Sequence, residues 1–119
     1  MRARLVLLMA MAAGPVFWGI AHAGDVGPPL SAADIERTII GNKEWFIFPD
    51  GRKEAGIYNQ DGSYVFRDGG GGNWRMNGNI FCDKPEGRSE SCGTFHKVGE
   101  KAYQLIHSDG STGVRIELP

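Results

Sequence analysis

Short apolar runs separated by Asx-Gly and similar pairs are the feature that most constrains this chain's fold. These pairs are Asp50-Gly51, Asp61-Gly62, Asp68-Gly69, Asn77-Gly78, Gly99-Glu100 and Asp109-Gly110. Asx-Gly pairs supply the positive φ angles that tight hairpin turns require. Around them lie the runs EWFIF, GIY, SYVF, NWRM, NIFC, GTFHKV, AYQLIH and GVRIEL. The pattern predicts an all-β antiparallel meander of about eight strands, and so short a chain favours a small up-and-down barrel without free edges.

One short helix is predicted before the strands. Ser31 suits an N-cap, and Asp34 stands three residues later, as in a capping box. Gly41 or Asn42 can end the helix in a left-handed conformation. We therefore expect a helix over residues 32–40 that plugs or covers one end of the barrel.

The hairpin around Gly99 has two candidate registers. A two-residue turn would place His96 opposite Tyr103. A three-residue loop would place Phe95 opposite Leu105 and give a better apolar face. The alternation pattern does not choose between them.

The N-terminal residues have the pattern of a secretory signal peptide. Arg2 and Arg4 precede an apolar stretch over residues 5–20, and Ala21-His22-Ala23 fits the small-x-small cleavage pattern. The stretch is short for a spanning helix, and no stop-transfer charges follow it. We expect residues 1–23 to be removed, 24–30 to be a linker and 31–119 to be one domain, periplasmic or secreted and not attached to a membrane.

The charge balance argues against a polyanionic partner. The whole chain carries 13 basic and 14 acidic residues, and two of the basic ones leave with the signal peptide. The remainder has no basic run of the kind that nucleic-acid surfaces need. We expect a monomer that binds no nucleic acid.

Cys82 and Cys92 are the only cysteines. An even pair at short spacing in an exported chain predicts a disulfide. Their spacing matches neither C-x-x-C nor a four-ligand zinc site, so we predict no metal site and no cofactor.

The glycine run at 69–72 resembles no phosphate-binding motif. A P-loop needs Lys and Ser/Thr after its last glycine, and a dinucleotide fingerprint must open a helix. The segment after the run alternates like a strand, so we expect a hairpin loop or bulge. No G-x-S-x-G motif or ladder of calcium ligands is present, and His96 and His107 are the only histidines after the signal peptide. We therefore expect no catalytic residues and no enzyme.

Aromatic residues are concentrated in the strand region. They either fill the barrel or line an apolar cavity that is open at one end. In the second case, residues 68–73 would form a mobile lip. The residues predicted to bind a small apolar ligand are Tyr64, Phe66, Trp74 and Tyr103.

The segments LSAADIERTIIGN, IYNQDGSYVF, GNWRMNGNIFC and SCGTFHKVGEKAYQL resemble a group of small exported bacterial proteins of unknown function. The resemblance implies a lipocalin-like or calycin-like barrel and carries over no catalytic residue. We expect an exported, non-enzymatic binding protein. The alternative is a module that binds an exported protein partner, such as an inhibitor of an exported hydrolase.

Overall fold

The computed structural model describes residues 26–119 and shows an antiparallel barrel of eight strands with one helix before them. The predicted signal peptide lies outside the described residues. Each strand pairs with the next, and the last strand pairs with the first to close the barrel. The predicted fold class is therefore confirmed. The elements are α1 (Ala32–Thr38), β1 (Lys43–Ile47), β2 (Lys53–Tyr58), β3 (Ser63–Phe66), β4 (Gly71–Asn77), β5 (Ile80–Pro85), β6 (Ser91–Gly99), β7 (Ala102–His107) and β8 (Thr112–Glu117).

Helix α1 is capped as predicted but is two residues shorter. The Asp34 backbone N–H donates to Ser31 Oγ at 3.1 Å. The Asp34 carboxylate accepts a hydrogen bond from Arg37, so it is drawn toward the helix rather than toward the cap. After Thr38 the chain turns, and Gly41 takes a φ of 83°.

The strand order gives the barrel two different ends. In an up-and-down barrel successive hairpins lie at alternate ends, so the loops 48–52, 67–70, 86–90 and 108–111 share one end. We call it the open end. Helix α1 precedes β1 at the opposite end, which we call the helix end. Ile35 and Ile39 of the helix segment are fully buried in the main core cluster. The helix therefore covers that end of the barrel, as expected.

Most of the aromatic residues pack in the barrel interior. The rings of Phe46, Tyr58, Phe81 and Phe95 are almost completely buried. Adjacent rings in this group are 4.8–5.0 Å apart between centroids. Trp45 is the exception, because it points outward and is 39% exposed.

The hairpin between β6 and β7 adopts the second of the two candidate registers. Phe95 lies opposite Leu105, and both side chains are fully buried. The register shifts at a bulge between Lys97 and Gly99, and Gly99 then pairs with Ala102 across a tight turn. Burial of the two apolar side chains is the physical reason for the choice.

The predicted disulfide is present. Cys82 and Cys92 lie directly opposite each other on β5 and β6, with an S–S distance of 2.05 Å. The bond indicates folding in an oxidising compartment.

No helix within residues 26–119 is long and apolar enough to cross a membrane.

The segment predicted as a linker is hydrogen-bonded to the barrel over its described part. Strand β5 pairs with β6 only through residue Gly93, which leaves the next part of β6 without a neighbour on that side. There the Leu30 N–H donates to the Phe95 carbonyl at 2.8 Å. His96 Nδ1 lies 2.7 Å from the Gly27 carbonyl oxygen. Residues 27–30 therefore protect a strand edge that would otherwise be exposed.

Candidate functional site: a cavity at the open end of the barrel

The barrel is filled toward the helix end and hollow toward the open end. A cavity of about 710 Å³ lies between three of the open-end loops, 48–52, 67–70 and 86–90, and the aromatic core. Its lining combines aromatic, charged and hydroxyl side chains. The principal lining residues are Phe46, Phe48, Arg52, Tyr58, Tyr64, Phe66, Asp83, Glu86, Arg88, Ser91, His107 and Val114.

One wall of the cavity is aromatic. Phe66 packs edge-on against Phe46, with centroids 5.1 Å apart, and against Phe48 at 5.6 Å. Tyr64 packs against Phe66 at 5.7 Å. Edge-to-face pairs of this kind are a favoured arrangement of aromatic rings. Phe46, Phe48, Tyr64 and Phe66 therefore form one packed aromatic surface, which we call the aromatic wall.

Glycines in the neighbouring strands make room for this wall. A Cβ atom on Gly56 would lie 3.0 Å from ring atoms of both Phe46 and Phe66. A Cβ on Gly72 would lie 2.9 Å from the Tyr64 hydroxyl oxygen. The atoms nearest to these two Cβ positions are backbone carbonyl oxygens of the adjacent strands, Val65 O at 2.8 Å from that of Gly56 and Lys84 O at 2.2 Å from that of Gly72, so larger residues would disturb both the strands and the wall.

The opposite wall is polar. Asp83 on β5 and His107 on β7 both line the cavity and are half-buried. Burial raises the pKa of Asp83, and the nearby His107 imidazole acts in the opposite direction. Burial also raises the pKa of Tyr58 and Tyr64, and the negative charge of Asp83 adds to this effect. These four groups therefore interact electrostatically across the cavity.

Arg52 lies at the mouth with its charge already compensated. Its guanidinium donates to Asp50 at 3.1 Å and to Glu54 at 3.0 Å. The same group lies over the ring of Phe48, 4.5 Å from the centroid. Arg52 thus brings little net positive charge to the cavity, and its contact shows that the aromatic wall can face a cation.

The glycine run divides between a turn and a strand. Gly69 and Gly70 form the hairpin turn with φ values of 96° and 84°, and the Phe66 N–H donates to the Gly70 carbonyl at 3.2 Å. Gly71 and Gly72 begin strand β4. A strand follows the run, not a helix, which confirms the hairpin prediction. Gly70 and Gly71 lie at the mouth of the cavity, where a lip was expected.

The four predicted ligand-binding residues fall into two groups. Tyr64 and Phe66 line the cavity. Trp74 and Tyr103 lie outside its wall, because the strands carry both of them toward the helix end. The Trp74 indole Nε1–H donates to the Asn59 carbonyl at 2.8 Å, and its ring stacks on Phe81 at 5.7 Å. The structure therefore gives these two residues a place in the core.

Sequence reasoning missed Asp83 and His107 as cavity residues. Asp83 follows Phe81 at a spacing of two, and His107 follows Leu105 in the same way. Residues two apart on a strand share a face. The alternation therefore indicated that both polar side chains point inward. His96, in contrast, lies on the outer side against the N-terminal segment, so the two histidines do not meet.

Glu44 is a second interior acid, and it lies outside the cavity wall. It is 3% exposed, and neither carboxyl oxygen has a hydrogen-bond partner in the described part of the chain. Burial raises the pKa of Glu44 to about 9. The side chain is therefore protonated at neutral pH.

His107, Ser111 and Asp109 lie together but do not form a catalytic triad. His107 Nδ1 is 3.2 Å from Ser111 Oγ, which in turn donates to the Asp109 carboxylate at 2.6 Å. In a triad the acid bonds the histidine and not the serine. The turn over residues 59–63 repeats the arrangement with Asn59 in place of the histidine. The cluster is therefore a recurring turn structure.

The described residues contain one group of three potential metal ligands, Cys82, Glu90 and Cys92. The two sulfurs are bonded to each other, so neither is available as a thiolate. Glu90 is engaged by Arg75 through two hydrogen bonds of 2.8 Å. The group does not have the chemistry of a metal site.

Comparison with known proteins gives no match: no family model, no curated protein and no solved structure is significantly similar to this chain.

Proposed function

We propose that this protein is an exported, non-enzymatic binding protein that holds a small ligand in the open-end cavity. The observation that carries the proposal is the cavity of about 710 Å³ beside the packed aromatic wall. Small-molecule sites typically have volumes of about 300–1,000 Å³, largely apolar walls and a few polar groups that orient the ligand. A relationship to exported lipocalin-like or calycin-like proteins is part of the same proposal.

The lining favours an amphipathic ligand over the entirely apolar one expected from the sequence. An apolar molecule that filled the cavity would remove Asp83 and His107 from water without giving them partners. A ligand with an apolar body and one polar group would contact both walls. Binding without catalysis is supported by the turn structure around His107, which presents no activated nucleophile.

The test is to fill the cavity and measure the loss of binding. Val114 lines the cavity and is 7% exposed, whereas Val65 points outward and is 47% exposed. A mixture of small aromatic acids, amines and alcohols is screened by saturation-transfer NMR. The Val114→Phe variant should lose the binding that the wild type shows, and the matched Val65→Phe control should keep it.

Circular dichroism of both variants would establish that they remain folded. Chemical-shift changes in the wild type should be concentrated at Tyr64, Phe66 and Val114. Wild-type protein that binds no compound of the mixture, or binding that survives in Val114→Phe, would contradict the proposal.

A second candidate function is supported by the outer face of the barrel. Trp45 on β1 and Val65 on β3 are exposed and point away from the core. Lys53 lies over the Trp45 ring, 4.8 Å from its centroid. Exposed aromatic residues are enriched in protein interfaces. A protein partner, such as an exported hydrolase, would be expected to lose affinity on Trp45→Ala while Val114→Phe leaves its binding unchanged.

A further inference from the structure

We propose that Asp83 makes the open-end cavity selective for organic cations, namely an ammonium group attached to an aromatic or aliphatic body. The inference rests on the proposed function, because it specifies which chemical class the cavity binds. Two features carry it: an interior carboxylate that forms no ion pair in the described part of the chain, and an aromatic wall in the same cavity.

The Asp83 carboxylate forms no ion pair within residues 26–119. The nearby His107 imidazole favours its ionised form, and the negative charge of Glu90 opposes it. The carboxylates that do form ion pairs in this part of the chain are those of Asp34, Asp50, Glu54, Glu90 and Glu117. Asp83 is less exposed to solvent than the acids in the turns. Its negative charge adds to the rise in the pKa of Tyr58 and Tyr64. Partly buried charges are usually paired. A ligand ammonium would supply the missing partner.

The aromatic wall adds a second attraction for a cation. The rings of Phe46, Phe48, Tyr64 and Phe66 all line the cavity. The negative face of an aromatic ring attracts a cation within about 6 Å of its centroid, and desolvation strengthens this attraction. The Arg52 guanidinium already uses the Phe48 ring in this way at the mouth. A ligand ammonium between the aromatic wall and Asp83 would use both attractions together.

An anionic ligand fits the same site less well. Arg52 is held by two carboxylates, and Arg88 is exposed in the loop 86–90 at the mouth, where solvent and salt screen its charge. An anion deep in the cavity would face Asp83 in surroundings of reduced dielectric constant, where repulsion is stronger than in water. The Asp83 carboxylate therefore favours a cation inside the cavity, whereas the two guanidinium groups act at its mouth.

The raised pKa of Asp83 agrees with this assignment. Burial raises it in the free protein. A bound ammonium would stabilise the ionised carboxylate and lower the pKa again. Ligand binding and the ionisation of Asp83 are therefore coupled, and the coupling can be measured.

Three probes of similar shape test the proposal: 2-phenylethylammonium, 2-phenylethanol and 3-phenylpropionate. Affinities are measured by NMR titration at about pH 7.5, where the amine is protonated. We expect the ammonium to bind about tenfold or more tightly than the alcohol, and the carboxylate to bind most weakly. Asp83→Asn should remove the preference for the ammonium. Asp68→Asn removes the same charge from an exposed loop residue outside the lining, and should change affinities less than about twofold.

A measurement on the wild type does not depend on how well the variants fold. The Asp83 carboxyl carbon is titrated by ¹³C NMR with and without each probe. Saturation with 2-phenylethylammonium should lower the titration midpoint, whereas 2-phenylethanol should not. An unchanged midpoint would overturn the inference.

The outcomes separate the two proposals. If the alcohol or the carboxylate binds as tightly as the ammonium, selectivity for cations is refuted and the binding function stands. If Asp83→Asn keeps the preference, Asp83 is not its source and the inference fails. If none of the three probes binds, the inference also fails, and the screen with Val114→Phe decides the broader proposal independently.

Discussion

Glu44 should make the stability of this protein fall as the pH rises, which is the reverse of ordinary acid denaturation. Its carboxyl group is buried without a hydrogen-bond partner among the described residues, and its pKa is raised from 4.5 to about 9. In the unfolded chain the group loses its proton above about pH 4.5. In the folded protein it keeps the proton to about pH 9. The unfolded state is therefore increasingly favoured as the pH rises between these two values.

The size of the effect follows from the difference between the two pKa values. Each pH unit inside the window costs about 1.4 kcal/mol of folding free energy for one group. Between pH 5 and pH 8 the loss attributable to Glu44 is then about 3–4 kcal/mol, a large part of the stability of a small domain. The Glu44→Gln variant has a side chain of the same shape that does not titrate, so it should not show this loss.

Urea unfolding followed by tryptophan fluorescence measures the effect. Wild type, Glu44→Gln and the control Glu36→Gln are compared across this pH range with the disulfide intact. Glu36 lies on the exposed side of α1, so its variant should follow the wild type. The reasoning is refuted if the unfolding free energies of wild type and Glu44→Gln change in parallel with pH, because the carboxyl group would then titrate normally in the folded state.

Three further perturbations test the packing. The Cys82–Cys92 disulfide closes a loop with a sequence separation of 10. Reducing it should lower the free energy of unfolding in urea by about 2–3 kcal/mol, because the unfolded chain gains conformational freedom. An unchanged free energy of unfolding would contradict this explanation. Trp74→Ala should cost about 3–5 kcal/mol, and a loss below about 1 kcal/mol would mean that the indole is not part of the core. Gly71→Ala should cost at least about 2 kcal/mol, because its φ is 145° and a Cβ would lie 2.0 Å from a carbonyl oxygen on the adjacent strand. Gly69→Ala is the control for this variant, because a Cβ at Gly69 would meet no other atom and its φ is 96°. It should cost about 1 kcal/mol of stability. Equal losses of stability in the two variants would contradict the steric explanation.

The strands and turns could be predicted because their determinants are local. Asp61-Gly62 and Asp109-Gly110 specify turns through the conformation of single glycines, and both glycines adopt positive φ. Ser31 likewise specifies the start of α1. The end of the helix could not be predicted in the same way, because Ile39 and Ile40 also fit the apolar pattern of a longer helix. In the structure both side chains are buried beyond the last helical residue, Thr38.

The sequence left open whether the barrel is filled or hollow, because the answer depends on contacts between distant strands. The alternation in β1 allows either Trp45 or Phe46 to face inward, and local pattern cannot choose between two such apolar residues. The observed choice buries Phe46 and, with it, Glu44. Asp83 was detectable by its spacing from Phe81, but a strand acid is ordinarily assigned to the solvent face.

The two interior acids differ because the barrel is filled at one end and hollow at the other. Glu44 is buried in a part of the barrel that the cavity does not reach. An ionised carboxylate there would have neither water nor a ligand to stabilise it, so the carboxyl group stays protonated. Asp83 lines the cavity and keeps partial exposure, so it can ionise and pair with a ligand group. Similar chemistry thus has a structural consequence at one position and, in the proposed function, a recognition role at the other. The difference follows from the position of each acid, because Asp83 lines the open-end cavity whereas Glu44 does not.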